Sequence, residues 1–396
     1  MGRAIRGANS RTENIFIDVY LQMQNLFNNV FKDLPVLLTG HTGFKGSWLT
    51  LWLKEMGAQV IGYSLPEPPT SPSNYELIKI GEQITDLRGD IRDFDRLRDI
   101  IKEHQPRLVF HFAAQTTVLP SYREPKVSLD TNVGGSINML EAIRTTDSVK
   151  AVVMCATDKV YENKEWIWGY RENDELGGYD PYSTGKAMAE LAVMSYRRSF
   201  FSGEGSASKR EVALGSVRAG NVIGGGDFTE NGLLADCMKS ILKSESIFLR
   251  NPSSTRPWQY VLEPLSGYLS LAERLLTEGD PFAQAWNFGP LQHSAITTLE
   301  VVEKLIALWD GSNPVQIEYD RSQEKLHEAH SLHLSWDKAA SLLHWRPVYK
   351  IDDALAETVK WYKAFQQQDD LYQTGRILLK NYVERARTLE LAWTCS

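Results

Sequence analysis

In the stretch YDPYSTGK, Tyr182 and Lys186 stand four residues apart at the start of a helix-like segment, so both side chains leave the same helix face. An ammonium group beside a phenol lowers the phenol's pKa, which would make Tyr182 a usable base near neutrality. Y-x-x-x-K is a common pattern by itself. It gains weight from Thr157, which ends the apolar strand-like run VKAVVMCA and is placed to hydrogen-bond a substrate hydroxyl. Threonine, tyrosine and lysine beside a nicotinamide would oxidise an alcohol. The same run continues as ATDKVY, with an acid (Asp158) and an amine (Lys159) side by side where a turn needs neither charge.

A nicotinamide site needs a place for the rest of the dinucleotide. TGHTGFKG spaces Gly40, Gly43 and Gly46 three apart, between the strand-like VLLT and a helix-like segment. Such glycines let the backbone turn tightly and approach a pyrophosphate at a helix N-terminus, where N–H groups and the dipole favour anions. Phe44 opens that helix. Lys45 either adds a charge to the pyrophosphate or is an ordinary solvated lysine, and His41 is a histidine of the loop. NAD sites usually carry Asp or Glu at the end of the second strand. Here that strand ends IGYSLPEP, so Ser64 takes the ribose-facing place, with Glu67 beyond it. No arginine stands in that stretch to meet a 2′-phosphate, which favours NAD over NADP. Asp90 and Ile91 end the third strand, where an adenine would lie, and Ala113 follows the fourth strand in HFAA.

These residues require a scaffold of alternating strands and helices. From residue 35 short β-rich runs alternate with helical patterns as far as EVALGSVRAG, the signature of a parallel sheet covered on both faces. The expected fold is α/β, a Rossmann-type doubly wound parallel sheet with a smaller, mostly C-terminal substrate-binding domain. The expected division is an N-terminal extension over 1–33, an NAD-binding domain over 34–220, a substrate-binding portion over 221–367 with segments returning to the sheet, and a polar tail over 368–396. Phe16, Val19, Tyr20, Met23, Phe27, Val30 and Phe31 would form one apolar helix face in the extension, or the true start lies near Met23.

Composition narrows the partners. The 396 residues carry a formal net charge of −7, which argues against a nucleic-acid or anionic-membrane surface. Three cysteines without metal-ligand spacing fit a reducing cytoplasm with neither a disulfide framework nor a metal site. No apolar run approaches the ~20 residues that span a bilayer.

The chain resembles the extended short-chain dehydrogenase/reductases and, within them, the CDP-glucose 4,6-dehydratases, over about residues 31 to 365. The resemblance rests on TGHTGFKGSWL, HFAAQTTV, TNVGGSINMLEA, TDKVYENKEW, YDPYSTGKAMAE, RAGNVIGGGDF, RPWQYVLEPLSGYL and HEAHSLHLSWDKA. It implies that Thr157, Tyr182 and Lys186 oxidise the sugar, and that Asp158 and Lys159 carry the elimination. It also implies that Asn132 supports the site from a helix, that Arg256 binds the sugar nucleotide's diphosphate, and that Asn221 lies near the same phosphates. Arg218 belongs to the same motif as Asn221 and reads equally well as structural. NAD would be the cofactor and a nucleotide sugar the substrate, in a homodimer or higher homo-oligomer. Two positions depart from the pattern: Gly232 stands where an arginine is expected, and Tyr260 replaces a histidine in the substrate half.

Overall fold

The computed structural model describes residues 23, 25–201, 211–249, 251–291, 295–309, 315–319 and 332–395. The chain enters the sheet with β1 (Pro35–Thr39), turns through the glycine loop into α1 (Phe44–Glu55), and continues as β2 (Gln59–Ser64) and β3 (Thr85–Arg88). Next come α2 (Phe94–His104), β4 (Leu108–His111), α3 (Gly135–Arg144) and β5 (Ala151–Cys155). α4 (Pro181–Tyr196) leads to β6 (Ala213–Ala219). Beyond these lie α5 (Leu233–Lys243), α6 (Leu262–Thr277), β7 (Ala285–Phe288), α7 (Ile351–Gln366) and α8 (Leu371–Thr388).

Among the described residues, seven strands form one sheet in the order β7-β6-β5-β4-β1-β2-β3, every neighbouring pair parallel. The alternation of side chains along each strand divides the interior in two. Leu37, Val109 and Val152 pack with α2 and α3 through Leu97, Ile100, Leu140 and Ile143. Val36, Leu38, Phe110 and Val153 face the opposite way, against Trp48 and Trp52 of α1 and Leu265, Tyr268 and Leu269 of α6. This is the doubly wound sheet that the alternating runs imply. The strand order reverses between β1 and β4, so the crevice beyond their carboxyl ends is where such sheets take a ligand.

Two boundaries differ from the sequence expectation. The stretch 368–396 is not a tail: Leu378, Leu379, Tyr382 and Val383 of α8 are fully buried and pack on α1 and α6. Its polar residues gave it a tail's composition, but its apolar ones share one helix face. At the other end, Met23, Leu26, Phe27 and Phe31 are buried in the same core, with the Phe27 ring stacked 5.1 Å from Trp393. The apolar helix expected there is a 3-10 turn at Leu26–Asn29, because Phe27, Asn28 and Asn29 have left-handed φ of 51°, 52° and 58°. Phe16, Val19 and Tyr20 lie outside the described residues.

Candidate active site

Two strand ends and one helix start build the cofactor cradle. Gly40 follows β1 with φ +76°, and a Cβ there would sit 2.7 Å from the Ala113 nitrogen beyond β4. A Cβ on Gly46 would sit 2.1 Å from the Gly40 oxygen. Side chains at either point would clash with the protein's own backbone, so both glycines are needed for the tight turn and for the close approach of loop, helix and β4. Gly43 caps α1 without a side-chain hydrogen bond, so no capping group competes with an anion for the first-turn N–H groups. These residues fit a dinucleotide.

The loop's polar side chains are more committed than expected. His41 is fully buried, its Nδ1 2.9 Å from Ser64 Oγ and its Nε2 2.9 Å from Asp86 Oδ1. Burial, the largest influence, lowers its pKa against the pull of Asp86. Ser64, expected to meet a ribose, is turned inward to His41 and also accepts from the Thr42 N–H at 3.4 Å. An arginine does stand at this edge, brought from β3 rather than β2. Arg88 donates to the Leu65 and Pro66 carbonyls at 3.2 and 3.3 Å and is paired with Asp86 at 2.8 Å. Its charge is therefore balanced before any 2′-phosphate arrives. The Asp90 carboxylate is held by Arg92 at 3.0 and 2.6 Å, and these bonds lower its pKa. The Ile91 side chain packs above Gly135 of α3 and joins the core there.

Lys45 leans from α1 toward the end of β5, its Nζ 3.9 Å from Cys155 Sγ. There the cradle meets the chemical centre. Asp180 caps α4, accepting from the Ser183 N–H at 3.0 Å with Pro181 at the first helical position. That cap fixes Tyr182 and Lys186 in the first two turns, facing β5. Thr157 stands beside the Tyr182 phenol and draws its pKa down, against burial, and Lys186 Nζ donates to the Cys155 carbonyl at 2.7 Å. From their spacing, Lys186 was expected to lower the Tyr182 pKa. The structure raises it, because burial dominates and Asp158 adds to the effect. Burial likewise lowers the pKa of Lys186.

Asp158 and Lys159 share a short turn but not an environment. Asp158 is buried, takes a hydrogen bond from Thr157 Oγ1 at 2.9 Å, and has its pKa raised by desolvation against the influence of Lys159 and Arg256. Gly220 packs close beside it: a Cβ there would be 3.0 Å from Asp158 Oδ2. Lys159, by contrast, is exposed.

Both line a cleft of about 850 Å³, whose walls include Asn221, Gly232, Arg256 and Trp258. Gly232 caps α5 without a side chain, so the departure from arginine leaves a bare helix start facing the cleft. Arg256 reaches it from the short strand Thr255–Pro257. Tyr260 does not reach it. That ring is 1 % exposed, packed beside Tyr349 and Tyr382 at 5.5 and 6.3 Å, so its expected substrate contact is corrected to a core role. Asn132, in a π-turn ahead of α3, accepts from the Gln115 N–H at 2.8 Å and donates to its carbonyl at 3.0 Å. It fixes the loop after β4 rather than touching the cleft. Sequence reasoning missed Ser121, whose Oγ accepts from the Tyr182 N–H at 3.1 Å, because nothing local links residues 61 apart.

A family model described as GDP-mannose 4,6 dehydratase matches residues 37–358. A CDP-glucose 4,6-dehydratase of Salmonella typhimurium is 44 % identical over 355 residues, covering 90 % of this chain and 98 % of that protein. Among solved structures, a dTDP-glucose 4,6-dehydratase of Bacillus anthracis in complex with NAD superposes with TM-score 0.68 at 23 % identity. It covers 86 % of this chain and 99 % of that one. A UDP-glucose 4-epimerase of Thermotoga maritima with UDP-glucose gives 0.69 at 23 % identity, covering 84 % and 99 %. At that identity the two structures carry the fold alone.

Proposed function

The chain belongs to the GDP-mannose 4,6 dehydratase family, and from that premise we propose that it is an NAD-dependent sugar-nucleotide 4,6-dehydratase acting on CDP-glucose. The products are CDP-4-keto-6-deoxyglucose and water. The observation that carries this reading is the Asp158–Lys159 pair on the cleft wall, one residue from the oxidation site. A 4-epimerase needs Thr157, Tyr182 and Lys186 but has no leaving hydroxyl to protonate.

The Gly40–Gly46 loop and the α1 N-terminus would hold NAD, which would supply reversible hydride transfer between C4 and C6 of the sugar. Tyr182 and Thr157 hold the C4 hydroxyl, and Tyr182 takes its proton. Its raised pKa keeps the phenol protonated in the resting site, so its role as base needs a positive charge beside it during the reaction. The C4 ketone acidifies the C5 proton. Lys159, facing the cleft, removes that proton or stabilises the enolate as negative charge develops. Asp158, whose burial raises its pKa and so favours the protonated acid, gives the departing C6 hydroxyl its proton. Arg256 and Asn221 face the same cleft and hold the diphosphate.

The reading includes a homodimer in the cytoplasm. Exposed Val127, Ile137, Met188 and Leu191, the last three on α3 and α4, supply the apolar face that a second copy would cover. The described residues hold no helix long and apolar enough to cross a membrane. The test is incubation of the NAD-loaded protein with CDP-, UDP-, dTDP- and GDP-glucose, followed by mass spectrometry. Loss of one water from CDP-glucose, faster than from the others, is expected. A mass-neutral conversion of sugar would instead indicate the epimerase.

A further inference from the structure

The turn that presents Asp158 and Lys159 has only long hydrogen bonds within itself, although the Gly177 N–H holds its last carbonyl, that of Val160, at 2.8 Å. The Val160 N–H reaches the Thr157 carbonyl, and the Tyr161 N–H the Asp158 carbonyl, each at 3.4 Å. Lys159 is exposed, so no packing of its own side chain fixes its direction. Tyr161, at the far end of the turn, is held firmly. It is 1 % exposed, and its hydroxyl is clamped from two sides. It donates to Asn287 Oδ1 at 2.8 Å and accepts from Arg218 Nη1 at 2.7 Å.

Both jaws are over-determined. Arg218 is fully buried and paired with Glu190 at 2.8 Å, and Glu190 also accepts from Ser216 Oγ at 2.8 Å. A buried pair of this kind tolerates little movement, because loss of either partner strands a charge. Asn287 donates from Nδ2 to the Tyr170 carbonyl at 2.8 Å, and its N–H donates to Glu172 Oε1 at 2.9 Å. The Arg218 guanidinium lies 4.9 Å over the Tyr161 ring as well.

Of the oxidation groups, Thr157 opens the turn itself, but Tyr182 and Lys186 are anchored elsewhere. Lys186 Nζ is bonded to the Cys155 carbonyl, the Tyr182 N–H to Ser121, and the Ala156 N–H to the Val217 carbonyl at 2.8 Å. We infer that Tyr161 is a positioning residue for the elimination half of the reaction: its hydroxyl, held between Arg218 and Asn287, fixes the turn that aims Asp158 and Lys159. The inference rests on the dehydratase reading and adds to it a division of labour. C4 oxidation depends on the anchors of Tyr182 and Lys186, and water loss depends on the clamp on the Tyr161 hydroxyl, whose Arg218 is tied back to α4 through Glu190.

The test is Tyr161→Phe, which keeps the ring, its stacking on Tyr170 at 5.1 Å and its contact with Arg218, and removes only the hydroxyl. Tyr170→Phe is the control, since that hydroxyl bonds Asn163 Oδ1 and the Lys164 N–H and takes no part in the clamp. Each NAD-loaded variant is mixed with CDP-glucose in deuterated water. Cofactor reduction is followed by ultraviolet absorbance, and water loss and C5 deuterium by quenched-flow mass spectrometry. Tyr161→Phe should reduce cofactor at nearly the wild-type rate yet lose water about 10- to 100-fold more slowly, the scale of a small misplacement of catalytic groups. Reduced cofactor then accumulates. Tyr170→Phe should partition as wild type does. Equal slowing of both steps in Tyr161→Phe, with a lowered Tm, marks a merely structural tyrosine and overturns the inference. So does unchanged partition in a dehydrating wild-type background. A wild type that reduces cofactor but expels no water overturns the dehydratase reading, and this inference with it.

Discussion

Replacing Asp158 with Asn separates the two halves of the proposed reaction. Asn is nearly isosteric with the neutral acid, the form that burial favours at this position. The amide keeps an oxygen where Oδ1 accepts from Thr157 at 2.9 Å, so Thr157 stays in place. Gly220 leaves room for either group. The structural cost is therefore at most about one net hydrogen bond, ~1 kcal/mol. What the amide cannot do is give a proton to the leaving C6 hydroxyl. General acid catalysis contributes roughly 10²- to 10⁴-fold, about 3–5 kcal/mol of barrier. Asp158→Asn should thus reduce bound cofactor at near the wild-type rate, retain deuterium uptake at C5, and form dehydrated product at least about 100-fold more slowly. Lys159→Met should also reduce cofactor but lose the deuterium uptake. The assay is single turnover with CDP-glucose in deuterated water, reading cofactor absorbance and product mass together. Normal dehydration by both variants would refute the reasoning. Loss of cofactor reduction in Asp158→Asn, with the fold intact by circular dichroism, would do the same.

Four further outcomes are expected. Tyr182→Phe should abolish cofactor reduction as well as turnover, and substantial reduction in a folded variant would remove Tyr182 from the base's role. Arg256→Met should raise KM about 10- to 100-fold if charged hydrogen bonds of ~1.5–3 kcal/mol hold the diphosphate, and an unchanged KM would reassign it to structure. Glu263 is buried on α6, where desolvation raises its carboxyl pKa to about 7 although the Tyr349 and Val348 N–H groups and the Tyr382 hydroxyl donate to it. The folded state then holds a proton that the unfolded chain releases near its ordinary ~4.3, so stability should fall as pH rises toward 7 and level off above it. Thermal melts across that window should slope downward for wild type and flatten for Glu263→Gln; equal slopes would dismiss the group. Deleting residues 368–396 removes four fully buried α8 side chains worth about 1.5–3 kcal/mol each, comparable to a domain's whole stability, so the truncated chain should not melt cooperatively. A cooperative melt near the wild-type Tm would restore that stretch to the status of a tail.

The sequence by itself determined whatever depends on near neighbours. Glycines three apart between a strand and a helix make the turn at Gly40–Gly46 wherever the rest of the chain goes, and an Asp-Pro cap sets the register of Tyr182 and Lys186 on α4. Strand and helix periods likewise dictated a doubly wound sheet, whose seven strands lie in the order such sheets adopt. Tertiary structure decided what covers each side chain, and with it every pKa. Tyr182 was expected to be acidified by a neighbour four residues away, but burial assembled from β5 and α4 outweighs that single charge. Asp158 and Lys159 are adjacent in the chain, yet one is buried and the other exposed, because a short turn points successive side chains in different directions. Arg88 meets the end of β2 only because β3 pairs beside it, and Tyr260 leaves the cleft only because Tyr349 and Tyr382 arrive from far along the chain. Direction and solvation are properties of the packed interior, set by partners tens to hundreds of residues away, and no local pattern records them.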